Sequence, residues 1–407
     1  MSAPLSKPAA GFAPLAGLRV VDFSSNIAGP CGTMILAQLG ADVIKVESPQ
    51  GDDARAWPLH VEGESVVHRY VNAGKRGVVI DLKSAQGIEV ARRLCDSADV
   101  VLQSMRPGVA ARIGIDRESL AKTNPALLYY DLSGYGTGPL GSRLPGYDPL
   151  VQAYSGIVAM NGHEGTPPSR CAPSVIDLGT GQWIAMGVLA AVLSAQRGHP
   201  VHHLDTALVD TAFSLVPYQA TSARLTGRRP PRAGSGNPIA APYQCYRASD
   251  GELLIAAPSQ RLWLKLTEVL GAQHLRDDPR FATLQARVEN TAALDAALAE
   301  VLARRSSAQW TDALQAAGIP VARIAGLEES VVGPIAAERA TFADSDGVPL
   351  VRLPWLVDEA PVPIHRPAPA LGEHTAEVLR ELDYDDAEVT RLLAGACAAP
   401  TNPAQPD

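Results

Sequence analysis

Between residues 18 and 136, short apolar runs alternate with helix-length segments, and few folds accept that order. LRVVDF (18–23), ADVIKVE (41–47), GVVIDL (77–82), DVVLQSM (99–105) and ALLYYDLSGYG (126–136) are rich in β-branched and aliphatic residues and read as strands. GPCGTMILAQLG (29–40), ended by a glycine, and SAQGIEVARRLCDSA (84–98) read as helices. Strands that alternate with helices at this spacing predict βαβ units and a parallel sheet covered on both faces. The predicted class is α/β, with a Rossmann-like large domain.

VHHLDTALVDTAFSLVPY (201–218) predicts one more strand and helix, and then the pattern changes. LTGRRPPRAGSGNP (225–238) concentrates Pro, Gly and Arg, the composition of a linker or mobile loop. APYQCYRASDGELLIAA reads as a hairpin turning at Asp250-Gly251, and LWLKLTEVLG, ALDAALAEVLARRS and AQWTDALQAAG read as helices. These predict a smaller α+β domain. LPWLVDEAPVPIHRPAPALG is Pro-rich and extended, HTAEVLRELD closes with a helix, and the last dozen residues are expected to be disordered. With 407 residues, 46% of them apolar, the chain can fill more than one core.

A net charge of −8 with no cluster of Lys and Arg excludes a nucleic-acid partner, because phosphate backbones require concentrated positive charge. Five well-separated cysteines without a C-x-x-C pair predict a reduced, cytoplasmic protein. MSAPLSKPAAGFAPLAG lacks a continuous apolar stretch and reads as a flexible leader rather than a secretory signal. The apolar run Trp183–Ala195 is shorter than the roughly 20 residues of a membrane span, so a buried helix and no membrane contact are expected.

GTGPLG (136–141) matches G-x-G-x-x-G, but Pro139 and Pro145 prevent the helix that would face a pyrophosphate, so no nicotinamide site is predicted. His199, His202 and His203 lack an acidic or cysteine ligand at metal spacing, and read as surface residues. No G-x-S-x-G elbow or S-x-x-K pair supplies a serine nucleophile. In SVIDLGTG (174–181), Asp177 stands between a short strand-like stretch and a helix start. Either it caps the helix, or Gly179 and Gly181 leave it open to a bulky acyl group while Thr180 caps instead. Both readings put the carboxylate at the positive end of a helix dipole, which is expected to keep it ionised at pH 7.

Further stretches carry a resemblance. PLAGLRVVDFSSNIAGPCGTMILAQLGADVIKVESPQGDDAR, GKRGVVIDLK, LQSMRPGVAARIGI, LSGYGTGP, GYDPLVQAYSG, IDLGTGQW, DPRFATLQARVEN, AAGIPVARI and ALGEHTAEVLREL resemble, in order, the blocks of the family III CoA-transferases (the CaiB/BaiF, formyl-CoA transferase-like group). The likeness covers nearly the whole chain. It implies that Asp177 is the catalytic nucleophile and that acyl-CoA is a substrate, with no tightly bound cofactor and no metal. It implies CoA contacts at Ile27, Ala28, Ile80, Lys83, Ser104, Met105, Arg106, Arg112, Tyr147 and Asp148. Ser104-Met105 replaces an Asn-Phe pair of the family, Ser48 an arginine of some members and Gly74 an asparagine.

The resemblance also implies an interlocked homodimer whose large domain is built from both chain ends. The expected divisions are 14–224 for the first part of that domain, 225–330 for the small domain with its linker, and 331–395 for a linker and C-terminal return. The implied reaction moves CoA from an acyl-CoA, such as succinyl-CoA, to a carboxylic acid through an aspartyl-CoA thioester. Gly179 and the GSGN loop (Gly234, Ser235, Gly236) are candidate oxyanion donors, the loop a candidate lid, and Arg229 or Arg232 a candidate partner for a distal carboxylate. Related 2-methylacyl-CoA racemases have a histidine where this chain has Tyr147, and tyrosine, with an ordinary pKa near 10, is a poor second acid/base. That weighs against α-proton chemistry, and the intact DLGTG block weighs against a non-catalytic acyl-CoA-binding protein.

Overall fold

The computed structural model describes residues 11–399. The first ten residues of the leader and the end of the tail from residue 400 lie outside the described residues. Six strands form the main sheet: β1 (Arg19–Phe23), β2 (Asp42–Glu47), β3 (Arg76–Val79), β4 (Val100–Gln103), β5 (Leu128–Ser133) and β6 (His203–Ala207). All pair in parallel, in the order β3-β2-β1-β4-β5-β6. This is the doubly wound Rossmann-like arrangement, and its strand order reverses between β1 and β4, where such sheets open a crevice beyond the strand ends.

The central strands are apolar runs because both faces are covered: Val20, Val21, Ile44 and Val101 are fully buried. Helices α1 (Ala28–Gln38), α2 (Val66–Asn72), α3 (Ala85–Asp96) and α4 (Val109–Ile113) lie between these strands in sequence. Ser84 caps α3 by accepting from the Gly87 N–H. One core joins Val21, Ile44 and Val101 to Leu94 of α3, to Val378 and Leu379 of the helix Thr375–Glu381, and to Val389 and Leu392 of the helix Asp386–Leu393. The chain end thus returns to the main sheet.

Helices α5 (Asp148–Tyr154), α6 (Val175–Gln196) and α7 (Leu208–Leu215) complete the elements around the site. α6 corrects two expectations. It starts at Val175, so SVIDL is not strand-like, and its 22 residues are long and apolar enough, by length and composition, to cross a membrane. Only 39% of its most apolar window is buried, and Trp183, Met186 and Leu193 are exposed, so the helix is buried on one face rather than all round. That face packs on α1. A Cβ at Gly181 would stand 2.8 Å from Cys31 Cβ, and one at Gly32 would stand 2.8 Å from Ile184 Cβ. The glycines therefore permit the two helices to approach each other, and do not simply clear space around Asp177.

The described residues divide into two compact units: one holds 11–155, Cys171–Pro217 and 335–399, the other Gly156–Arg170 and Tyr218–Pro334. These divisions differ from 14–224, 225–330 and 331–395 because a helix, Pro217–Thr226, runs through the expected boundary and residues 156–170 pack with the second unit. In that unit the hairpin Tyr243–Arg247 and Glu252–Ala256 pairs with Val321–Arg323 over a core of Trp263, Leu266, Leu298 and Trp310. The buried Arg287 braces it by donating to the carbonyls of Ala241, Pro258 and Phe281.

Candidate active site

Ser174 occupies the cap position of α6 without using its side chain. Asp148, the first residue of α5, supplies the cap from a distance: its Oδ2 accepts from the N–H of Ile176 at 2.8 Å and of Asp177 at 3.3 Å. Its Oδ1 accepts from Gln152 Nε2 at 2.6 Å, and Gln152 Oε1 accepts from the Cys171 N–H at 2.9 Å. The capping reading of Asp177 is corrected, because another carboxylate satisfies the free donors of the helix end. Thr180 does not cap either. It is buried, and its hydroxyl donates to Thr211 Oγ1 at 2.8 Å.

Asp177 is half-buried in the first turn of α6. Burial, and then the neighbouring Asp148 carboxylate, push its carboxyl up to about 7 from an ordinary 3.8. The expectation of full ionisation at pH 7 is corrected accordingly: the helix dipole is outweighed by desolvation and a second negative charge. If transfer needs the ionised form, the rate rises about tenfold per pH unit below neutrality and levels off above it. Asp148→Asn removes a cause of the upward shift, so its inflection lies at lower pH than that of wild type. A pH profile of kcat/KM for the two proteins tests both statements.

Leu178 packs against an apolar cluster of Ile27, Cys31, Met34 and Val71, as do Trp57 and Tyr70. Burial above all pushes the Cys31 thiol up to about 11, with Asp177 adding to the rise, so it is no thiolate at neutral pH. Ile27 stands at the N-cap of α1, where no side chain caps the helix. Ile27 and Ala28 are therefore at a helix N-terminus beside the element that carries Asp177.

A cavity of about 340 Å³ opens at the carboxyl ends of β1 to β4, with Ser24, Glu47, Asp52, Ile80, Lys83 and Met105 in its lining. The expected binding residues Ile80, Lys83 and Met105 thus share one cavity. Ser104, Arg106 and Arg112 do not line it; Arg106 and Arg112 are exposed on the loop and helix that follow β4. Tyr147 is exposed at the start of α5, and Asp148 is buried as the cap of α6. Gly179 is the fifth residue of α6, and helix geometry gives its N–H an intrahelical partner, so it is not a free oxyanion donor.

The second unit revises three further candidates. The N–H groups of Gly234 and Gly236 already bond the carbonyls of Gly162 and Ala233 at 2.9 and 2.8 Å. Arg232 spends its guanidinium on the carbonyls of Asn161, Thr166 and Pro167, and Arg229 donates to Ala159. Arg232 is a brace between two segments of chain.

Sequence reasoning missed the charges under the site. Lys75 Nζ donates to Asp22 Oδ2 at 3.1 Å, to the Pro30 carbonyl at 2.9 Å and to Asn72 Oδ1 at 2.9 Å, and both charged groups are fully buried. Lys45 pairs with Asp52 at 2.9 Å and reaches the Ser24 carbonyl. Burial pushes Asp22 up, but Lys75, Lys45 and the hydroxyls of Ser24 and Thr33 outweigh it and hold the carboxyl at about 2. The available signal was an Asp and a Lys inside VVDF and VIKVE, since a charge in a strand covered on both faces must be paired.

The family model for CoA-transferase family III matches residues 15–375. The chain belongs to that family. It is 35% identical to the succinate–glutarate CoA-transferase of Agrobacterium fabrum, over 91% of this chain and 96% of that protein. It is also 35% identical to the acetyl-CoA:oxalate CoA-transferase of Acetobacter aceti, over 94% of this chain and 99% of that one. Its fold matches a CaiB/BaiF family protein from Brucella suis with a TM-score of 0.81 and 36% identity, over 91% of this chain and all of that one. This family III protein is therefore a CoA-transferase in the general sense, acting on acyl-CoA and carboxylic acids.

Proposed function

We propose that this CoA-transferase moves CoA between dicarboxylic acids, with succinyl-CoA as a donor and Asp177 as the nucleophile. The observation that carries the reading is the division of labour at α6: Asp148 caps the helix, and the Asp177 carboxylate is left uncommitted to the helix end beside an apolar wall. The ionised carboxylate attacks the thioester carbonyl and expels CoA as thiolate, leaving a mixed anhydride. The thiolate attacks the aspartyl carbonyl of that anhydride, the donor acid leaves as its carboxylate, and an aspartyl-CoA thioester remains. An acceptor carboxylate then attacks this thioester and displaces the thiolate again, forming a second anhydride. Attack of the thiolate on the acceptor's acyl carbon releases the new acyl-CoA and restores Asp177.

Negative charge develops on the carbonyl oxygen in each addition, and the uncapped N-terminus of α1 at Ala28 and Gly29 offers N–H donors for it. The carboxyl-end cavity with Lys83 suits the nucleotide end of CoA. A homodimer is part of the proposal. Trp183, Met186 and Leu193 of α6, with Phe213 and Leu215 of α7, leave an apolar surface that a second copy would cover. The acceptor class follows the two relatives, whose names specify glutarate and oxalate.

Incubation of succinyl-CoA with labelled succinate tests the reaction without net chemistry. Label is expected to enter the thioester, and added glutarate or oxalate should draw CoA onto itself. Failure of succinate, glutarate and oxalate alike to exchange would contradict the dicarboxylate reading.

A further inference from the structure

Gln103 ends β4 directly opposite Asp131 of β5, and His203 begins β6 opposite Tyr129, two residues before Asp131 and on the same face of the sheet. Gln103 Nε2 donates to Asp131 Oδ1, and His203 Nε2 meets Asp131 Oδ2 at 2.9 Å. Gln103 Oε1 accepts from the Met105 N–H at 2.6 Å. The amide of Gln103 is buried, and Asp131 is largely so. A carboxylate can only accept, so Asp131 forces the amide nitrogen of Gln103 toward itself and the amide oxygen toward Met105. The side-chain contacts thereby fix the backbone turn that follows β4.

We infer that Gln103, oriented by Asp131 and His203, is a positioning residue that sets the Met105 wall of the carboxyl-end cavity and so tunes its affinity for CoA. This rests on the reading above that the cavity takes the nucleotide end of CoA. Without the carboxylate, the Gln103 amide is free to turn, the Met105 N–H loses its partner and the wall is no longer held in one place. Asn at 131 keeps an acceptor for Gln103, and its nitrogen donates to His203 Nε2 once that neutral ring carries its proton on Nδ1, so the orientation of Gln103 is preserved. None of these groups needs to touch Asp177, so the chemical step should be spared.

The test titrates CoA into wild type, Gln103→Met, Asp131→Leu and Asp131→Asn by calorimetry, beside thermal melts and exchange rates at saturating acyl-CoA. Gln103→Met and Asp131→Leu should weaken CoA binding roughly tenfold, as expected for losing one fixed hydrogen bond, with kcat within about twofold. Asp131→Asn should bind within about twofold of wild type. Folded Gln103→Met and Asp131→Leu proteins that bind CoA as wild type does would overturn the inference, even if they melt earlier. If Asp131→Leu fails to fold, Gln103→Met decides alone. Wild type that does not bind CoA would instead overturn the reading on which the inference rests.

Discussion

Asp177→Asn is expected to lose at least about 10³-fold in kcat while still binding CoA, because the nucleophile is removed and the carboxyl-end cavity is untouched. The same substitution should make the protein more stable at alkaline pH. The folded-state carboxyl titrates near 7 instead of 3.8, so between those values the folded protein holds a proton that the unfolded chain has released. Stability therefore falls as pH rises through that window, and the loss is complete above about 7. A neutral amide escapes it. After allowance for partial solvation, the gain at pH 8 is about 2 kcal/mol, with little difference from wild type at pH 4. Urea melts at both pH values measure this, and an equal stability at pH 8 would show that Asp177 is not held in an unfavourable setting. A residue kept at a cost to stability and lost at a cost to turnover has the signature of a functional group.

Lys75→Met should destabilise the fold by about 3–5 kcal/mol, the penalty of leaving a buried carboxylate without its partner. Asp22 is fully buried and would keep Lys45 only as a more remote charge. The Pro30 carbonyl at the start of α1 and the Asn72 amide would also lose a donor. The double variant Asp22→Leu/Lys75→Met removes both charges and should recover much of the loss. Thermal or urea denaturation of wild type, the single and the double variant checks this, and a single variant as stable as wild type would contradict it. α1 begins at Ala28, just after its N-cap Ile27, and packs on α6 through Gly32 and Gly181, so the ion pair also supports the ground on which the site stands.

The main sheet was legible because its central strands are apolar on both faces and its helices carry local end signals, such as the Ser84 cap and Gly40. Asp177 was legible as a residue of interest and misread in its setting. Val175 and Ile176 favour strands, and two glycines nearby argue against a helix, yet the helix runs from Val175 with Asp148 accepting from its first turn, and Gly181 lies where α1 and α6 touch. The cap on α6 comes from Asp148, 29 residues earlier than Asp177. Local patterns cannot express such a contact. For the same reason the raised carboxyl of Asp177 was invisible: it arises from burial and from a second carboxylate brought by another helix. The arginines near residue 230 looked available for ligand because sequence shows side chains but not the carbonyls of residues 161–167 that Arg232 holds.

The mass of the Asp177 peptide after incubation with succinyl-CoA and hydroxylamine tests the central claim most directly. An activated aspartyl anhydride or thioester is trapped as the hydroxamate, so Asp177 should be converted in wild type, and no other carboxylate should take its place in Asp177→Asn. An unmodified Asp177 in enzyme that is turning over the same donor would contradict the covalent mechanism.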